Sequence, residues 1–510
     1  MLRFKGNTNG NVPIKRVLIK IFNIVLGCIF YYLFILNIGT MNLQSPISSI
    51  LILPICLIII FFFKKEKFLN TKNILNWYVL QGISGIIMIV VVYWLDVKIS
   101  WDWGRLLESA YNYTMTEEID YPQYFMRYPN NQFWLVCLIG LFKLVKVCTM
   151  SVDFRVYKAV SIVISIFIVQ LTIHFIYKTA KLLWDEKKAF LVGMVAIFYV
   201  PFYLYAMFLY NDTTGAFIAV LLLFYDVKQN KENNDKKKYL LFAIIGIWGA
   251  MALHVKVLVF IVFIAIVIEM IFHYKIKLLL GLLGVLVLTF VGTHVLLEMP
   301  VKNTLGFDKE ESAKWEFPST HWIMMALNSY GGFSQDDVNF TWSFDTYEEK
   351  KEQNILKIKE RIYDRGFIET VKHIFYTKQL RTWTNSCLAG DNYVSRNPLH
   401  EQSLCQKVFS YKGEWHWVCL IYTWIYHITI MLGILLSAIM SIKMKISEQK
   451  LLSGKIAIFG LFLFLSIWEC NSRYVFSMAP VMILVAADGI FMTLNWIEHK
   501  KGILCNEKVC

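Results

Sequence analysis

Apolar stretches recur along the whole chain. They cover residues 17–39, 47–63, 76–95, 132–148, 156–177, 189–208, 213–227, 239–253, 257–272, 278–297, 416–440, 454–468 and 475–495, and a helix needs ~20 residues to cross a bilayer. None shows the alternation of a barrel strand. Backbone in hydrocarbon must satisfy its own hydrogen bonds, so each run predicts a helix. The fold class expected is all-α: a polytopic membrane protein with one large polar insertion.

Lysine and arginine between the runs fix sidedness, because basic residues near span ends stay on the cytoplasmic side. The clusters are Lys64, Lys65, Lys67 and Lys72; Lys178, Lys181, Lys187 and Lys188; Lys228, Lys231, Lys236, Lys237 and Lys238; Lys275 and Lys277; Lys443, Lys445, Lys450 and Lys455; Lys500, Lys501 and Lys508. All should share one side with Lys15, Arg16 and Lys20. If every run crossed, the clusters at 178–188 and 228–238 would fall on the other side. The expectation is therefore about twelve crossings plus an interfacial helix at 132–148, which leaves Lys143, Lys146, Arg155 and Lys158 on the outer side. Both termini are then cytoplasmic in a multi-pass plasma-membrane protein. Residues 1–75 form an N-terminal transmembrane hairpin, 76–297 a membrane core, 298–415 an outer loop region, and 416–510 the last spans and a cytoplasmic tail. The N-terminal run extends past a signal h-region and lacks a cleavage site, so it reads as a retained helix.

Composition narrows the function. Hydrophobic residues make up 57% and charged residues 17% of 510, and Lys plus Arg exceed Asp plus Glu by 51 − 37 = 14. A secreted enzyme, a nuclear factor and a disordered scaffold are excluded, and the scattered surplus is no nucleic-acid patch. Most cysteines lie in or beside apolar segments. Cys387 and Cys405 share the polar loop and could pair in an oxidising compartment.

Chemistry should collect on the outer face. In "LDVKISWDWGRLLESAYNY" Asp102 stands between two tryptophans at a predicted helix start, either as a general base or as a helix N-cap. Asp212, in "AMFLYNDTTGAFIAV", sits in a turn too short to leave the bilayer boundary, where an acid is a functional candidate. Lys256 in "ALHVKVLVF" either snorkels or binds an anion. Arg473 in "IWECNSRYVFSMAP" either pairs with Glu469 one helical turn earlier or binds an anion. Asp336 and Asp337 form a rival acid pair, more simply read as a solvated turn. His321 and His416 lack metal-ligand partners at useful spacing. Two acids with a lysine and an arginine suit a lipid-linked phosphosugar, whose phosphate needs cations and whose acceptor needs a base.

The motifs "WDWGRLLESA", "YFMRYPNNQFW", "FRVYKAVSIVIS", "NDTTG" and "LHVK", with "ECNSRYVFSMAP" near the end, resemble the GT-C superfamily. The likeness is to bacterial glycosyltransferase family 39-like proteins related to protein mannosyltransferases and aminoarabinose transferases. It implies that Asp102 is the catalytic base, that Asp212 is a second active-site acid, and that Lys256 and Arg473 contact the donor phosphate. Arg127, Glu469 and Lys378 join them as substrate-binding candidates. Two features depart from the pattern: two spans precede the one leading to the first outer loop, and the second outer loop has Asn211 and Asp212 in place of paired acids. No cofactor is firmly implied; a divalent cation is possible and no metal ligands are assigned.

The expected activity is inverting transfer of a sugar from a polyprenyl-phosphate donor to a cell-envelope glycan or protein acceptor at the outer face. Membrane lipid is a partner and nucleic acid is not. The alternatives are a transporter or flippase of a lipid-linked glycan, and a glycan polymerase or ligase.

Overall fold

The computed structural model describes residues 12–44 and 77–507. The apolar run at 47–63, the cluster Lys64, Lys65, Lys67 and Lys72, and Lys508 lie outside them. Among the described residues the secondary structure is helical, apart from one isolated bridge between Val97 and Pro398. The first half comprises α1 (Val12–Gln44), α2 (Trp77–Leu95), α3 (Trp101–Thr116), α4 (Pro122–Arg127), α5 (Gln132–Thr149), α6 (Phe154–Leu183), α7 (Glu186–Ile197), α8 (Val200–Tyr205), α9 (Asn211–Lys231), α10 (Asp235–Val255), α11 (Val257–His273) and α12 (Ile276–Leu305). Eight described helices are long and apolar enough to cross a membrane, and α11 is a shorter apolar one.

The apolar run at 189–208 is not one helix. Pro201 lacks an N–H and occupies the first turn of α8, so the chain breaks between Ile197 and Val200 into two short helices. The run at 278–297 is exceeded in the other direction, because α12 carries on through Pro300 to Leu305.

Contacts sort the helix ends into two groups. At one end Lys15 of α1 donates to the carbonyl of Ile271 near the end of α11, Lys231 of α9 to that of Leu182 at the end of α6, and Lys450 to that of Leu183. The described lysine clusters lie at this basic end. At the other end Asp96, just past α2, pairs with Lys158 near the start of α6 at 2.7 Å, and Asp212 at the start of α9 pairs with Lys256 between α10 and α11.

Both ends of α5 lie at this second end. Asn131, immediately before it, accepts from Asn211 at the start of α9, and Phe133 meets His254 near the end of α10. Near its far end Lys146 donates to the carbonyl of Thr114, while Phe142 packs edge-on against Tyr157 near the start of α6. Length and composition would let α5 span a bilayer, but its contacts keep it along one end of the bundle, as the charge parity requires. The cations that this leaves at the second end of the bundle are accommodated. Lys158 is paired with Asp96, Arg155 with Asp153, Lys146 is bonded as above, and Lys143 lies over the Tyr113 ring.

The polar segment folds into α13 (Lys309–Trp315), α14 (Ser319–Ala326), α15 (Gln335–Trp342), α16 (Tyr347–Arg365), α17 (Phe367–Lys372), a π-helical turn at His373–Thr377, α18 (Lys378–Trp383), α19 (Gly390–Val394) and α20 (Leu404–Phe409). A capping box on Thr346 and Glu349 starts α16. Asp337 is not part of a solvated turn. It is buried in the first turn of α15, where it accepts from Asn328 and is clamped by Arg361, whereas Asp336 is exposed. The chain then returns through α21 (His416–Ser441), α22 (Leu452–Ile467), α23 (Arg473–Phe476) and α24 (Ala479–Glu507). Helices α21 and α24 cross at Gly433 and Gly489, where a Cβ on Gly489 would lie 2.0 Å from the Gly433 carbonyl oxygen.

Candidate functional site

Two helix starts build the site. Helix α3 opens at Ser100 in extended conformation, with Trp101 at φ 50°, a left-handed setting costly for a bulky side chain and typical of functional strain. Asp102 therefore falls inside the first turn and is not the cap. Its carboxylate accepts a hydrogen bond from the Tyr124 hydroxyl at 2.6 Å. Tyr124 in turn accepts from Asn131 at 3.0 Å, and Asn131 accepts from Asn211 at 3.1 Å. Burial, and then the negative charge of Asp102, push the Tyr124 phenol well above its ordinary pKa, so at neutral pH it is a donor to that carboxylate.

Helix α9 opens at Asn211 and Asp212. The Asp212 carboxylate is buried and meets the Lys256 ammonium on one side and Arg473 Nε at 3.6 Å on the other. Lys256 thus does not snorkel, and it also donates to Ser477. Arg473 does not form the helical pair expected with Glu469, because the chain between Trp468 and Ser472 is not helical. Its guanidinium lies 5.4 to 5.8 Å from the ring centres of Trp101, Tyr210, Tyr393 and Tyr474, an aromatic wall that holds a cation in a desolvated place. Glu469 accepts from the Tyr474 hydroxyl at 3.3 Å, and burial lifts its carboxyl to about 7, opposed by Arg473.

The arrangement separates two acids by their surroundings. Asp212 is neutralised by two cations. Asp102 is held by a phenol and sits in the first turn of α3. Buried polar atoms without a hydrogen-bond partner cluster here: Ser100 Oγ, Trp101 Nε1, Trp103 Nε1, Asn211 Oδ1, Thr214 Oγ1 and Arg473 Nε. Such atoms are costly unless something bonds to them.

Asp102, Asp212, Lys256, Arg473 and Glu469 are thus gathered. Arg127 and Lys378 are placed differently. Arg127 stacks over Trp342 at 3.8 Å and faces Phe317 and Trp315, tying α4 to the outer segment. Lys378 donates to the carbonyls of Ser466 and Trp468, both at 2.8 Å, closing the end of α22, and burial lowers its pKa to about 8. Tyr124, Asn131, Tyr210, Tyr393 and Tyr474 were not singled out from the sequence. Tyr124 and Asn131 do lie within "YFMRYPNNQFW", and tyrosine density around a charged residue was the one available signal.

Cys387 and Cys405 are both free thiols. The Cys387 sulfur lies 3.9 Å from that of Cys419, and the pairing considered for Cys387 and Cys405 is not formed. His416 does have ligand-type neighbours: its ring nitrogen lies with Cys387 and Asp391 in one compact group, contrary to the reading of the sequence.

No curated protein matches the sequence. Two solved structures from Archaeoglobus fulgidus align with it. The first is the archaeal oligosaccharyltransferase AglB in complex with an inhibitory peptide and a dolichol-phosphate, at 13% identity and TM-score 0.42, over 84% of this chain and 52% of that one. The second is an oligosaccharyltransferase tethered by a disulfide to an acceptor peptide, at 14% identity and TM-score 0.39, over 80% and 49%. The chain spans about half the length of these proteins. Over residues 13–491 the sequence matches the profile of a conserved hypothetical integral membrane protein, and the chain belongs to that family.

Proposed function

We propose that the protein is a membrane glycosyltransferase that moves a sugar from a polyprenyl-phosphate donor to a hydroxyl acceptor at the face opposite the lysine clusters. The observation that carries this reading is the unlike pair of acids: Asp102 held by Tyr124 at 2.6 Å, and Asp212 held between Lys256 and Arg473. Acids set apart by their environments take different roles. The donor phosphate seats against Lys256 and Arg473, which Asp212 positions, and its lipid tail remains in the bilayer. The acceptor oxygen attacks the anomeric carbon while its proton passes to Asp102. The bond from that carbon to the phosphate oxygen breaks, and the electron pair leaves with the lipid phosphate, whose charge the two cations stabilise. One displacement inverts the anomeric centre. Both oxygens of Asp212 face protein cations, so no step of this scheme runs through a metal ion.

The test is transfer from a labelled polyprenyl-phosphate sugar in detergent. Label arriving on an envelope glycan or protein acceptor with release of lipid phosphate supports the reading. Transfer only from a nucleotide sugar, transfer only from a diphosphate-linked oligosaccharide, or flipping of the lipid in proteoliposomes without a new glycosidic bond would replace it.

A further inference from the structure

Behind the aromatic wall the chain makes a tight knuckle. Leu388 and Ala389 are consecutive left-handed residues, at φ 51° and 63°, a conformation that is costly for residues bearing a Cβ. Gly390 follows, where a Cβ would meet Leu204 at 2.8 Å. The Tyr205 hydroxyl pins the knuckle by donating to the Leu388 carbonyl at 2.6 Å. The result is to aim Cys387 and Asp391 at His416, the first residue of α21.

One ligand atom from each of these three residues lies within 4.8 Å of the other two. His416 Nε2 is 3.1 Å from Asp391 Oδ2, and the three residues are 0%, 3% and 7% exposed. One turn along α21, Cys419 places its sulfur 3.9 Å from that of Cys387; two sulfurs about 2.3 Å from one tetrahedral ion would stand about 3.8 Å apart. Asp391 Oδ1 is buried with no hydrogen-bond partner, and so is His416 Nε2 apart from its ionic contact. The sequence signal is Cys-x3-Asp followed, twenty-five residues later, by His-x2-Cys.

We propose that Cys387, Asp391 and His416 bind one zinc ion. The chemistry of the donors selects the metal. Sulfur, imidazole nitrogen and carboxylate oxygen together suit zinc, whereas magnesium and calcium want oxygen alone. A thiolate and a carboxylate also cancel the charge of a divalent ion, which a buried site requires. Loading releases the thiol proton of Cys387 and any proton carried by His416. The ion would stitch the outer segment to α21 directly behind Tyr393, a member of the wall around Arg473. This site is independent of the glycosyl-transfer reading and stands or falls separately.

Protein purified in detergent from cells grown with added zinc should carry about one zinc per chain by elemental analysis. Cys387→Ser and His416→Gln should each reduce that at least tenfold, while Cys405→Ser should not change it. Wild-type protein stripped with a chelator and titrated with cobalt(II) should develop a thiolate charge-transfer band and the visible bands of a tetrahedral ion. The cobalt titration needs no variant, so it decides even if Cys387→Ser fails to elute as one species. Wild type with less than a tenth of an equivalent of zinc and no cobalt–thiolate band, or a Cys387→Ser protein that keeps its zinc, overturns the assignment.

Discussion

Carboxylates are taken into the bundle at both of its ends, and Asp226 with Glu269 at the basic end is held differently from Asp212 with the half-buried Asp102 at the other. At the basic end Asp226 of α9 accepts from the Ser453 hydroxyl and from Gln229, and Glu269 of α11 accepts from the Ser453 backbone N–H at 2.9 Å and from Asn230. Gln229 is held in turn by the Tyr274 hydroxyl. Neutral donors from α9 and α22 serve these acids, His273 lies 3.3 Å from Glu269, and the result is a knot that fastens helices. At the site end the acids face cations and phenols, a left-handed tryptophan supports one of them, and six neighbouring polar atoms have no hydrogen-bond partner. Satisfied networks rigidify, and unsatisfied ones are the places that bind. The difference teaches where chemistry is to be sought in a chain whose buried charges lie at both ends.

Substitutions at the two ends should separate these roles. Asp102→Asn keeps the shape and a hydrogen-bond acceptor for Tyr124 but removes the base, so turnover should fall roughly 10²- to 10⁴-fold with unchanged elution; near-wild-type turnover in a well-folded variant would remove the base from the scheme. Arg473→Gln removes a cation that stabilises the leaving phosphate and should lower kcat roughly 10²- to 10³-fold. A change confined to thermal stability would instead assign Arg473 to packing.

The pH dependence sharpens the contrast from another side. Burial lifts Glu469 from an ordinary carboxyl value to about 7, so between about pH 4.5 and 7 the folded protein holds a proton that the unfolded chain has lost. This contribution is fully present below the unfolded pKa and disappears as pH rises through the folded one, amounting to about 3 kcal/mol. Wild-type melting temperature should therefore drop more between pH 5 and pH 8 than that of Glu469→Gln, measured by thermal shift in one detergent. Parallel curves would show that Glu469 titrates normally. The smallest effect on activity belongs to the basic end. Ser453→Ala leaves the Asp226 and Glu269 knot short of a hydroxyl donor and should cost about 1–3 kcal/mol of stability, while specific activity at low temperature stays within about twofold of wild type. A collapse of kcat there would make the knot part of the mechanism.

Much of this was legible in the order of residues along the chain. Long apolar runs can only be helices in lipid, and the described lysine clusters gather at one end of the bundle. The parity of Lys178–Lys188 and Lys228–Lys238 also singles out the helix at 132–148, whose two ends the structure keeps together. Asp102, Asp212, Lys256, Arg473 and Glu469 stood out because charge at a helix end in an apolar sequence is conspicuous. The partners of those charges were not legible. Tyr124, Asn131 and Tyr393 are ordinary residues whose significance depends on which helices pack side by side. Arg127 and Lys378 carry the same charge as Lys256, yet the outer segment folds onto the first and the end of α22 claims the second. The group of Cys387, Asp391 and His416 escaped notice because its members lie on a knuckle and a distant helix, and the twenty-five residues between its two short motifs hide that they meet.

Helix α5 has a consequence for how the chain is laid down. By length and apolar character it qualifies to be threaded across the bilayer, yet it finishes on the side where it begins. Every helix from α6 to α24 inherits its direction from that outcome. The Asn131 and Lys146 bonds tie its two ends to the start of α9 and the end of α3. Were α5 to cross, the downstream helices would be inverted as a block, Asp212 and Arg473 would face the compartment opposite Asp102, and a single misplaced segment would divide the site between two sides of the membrane.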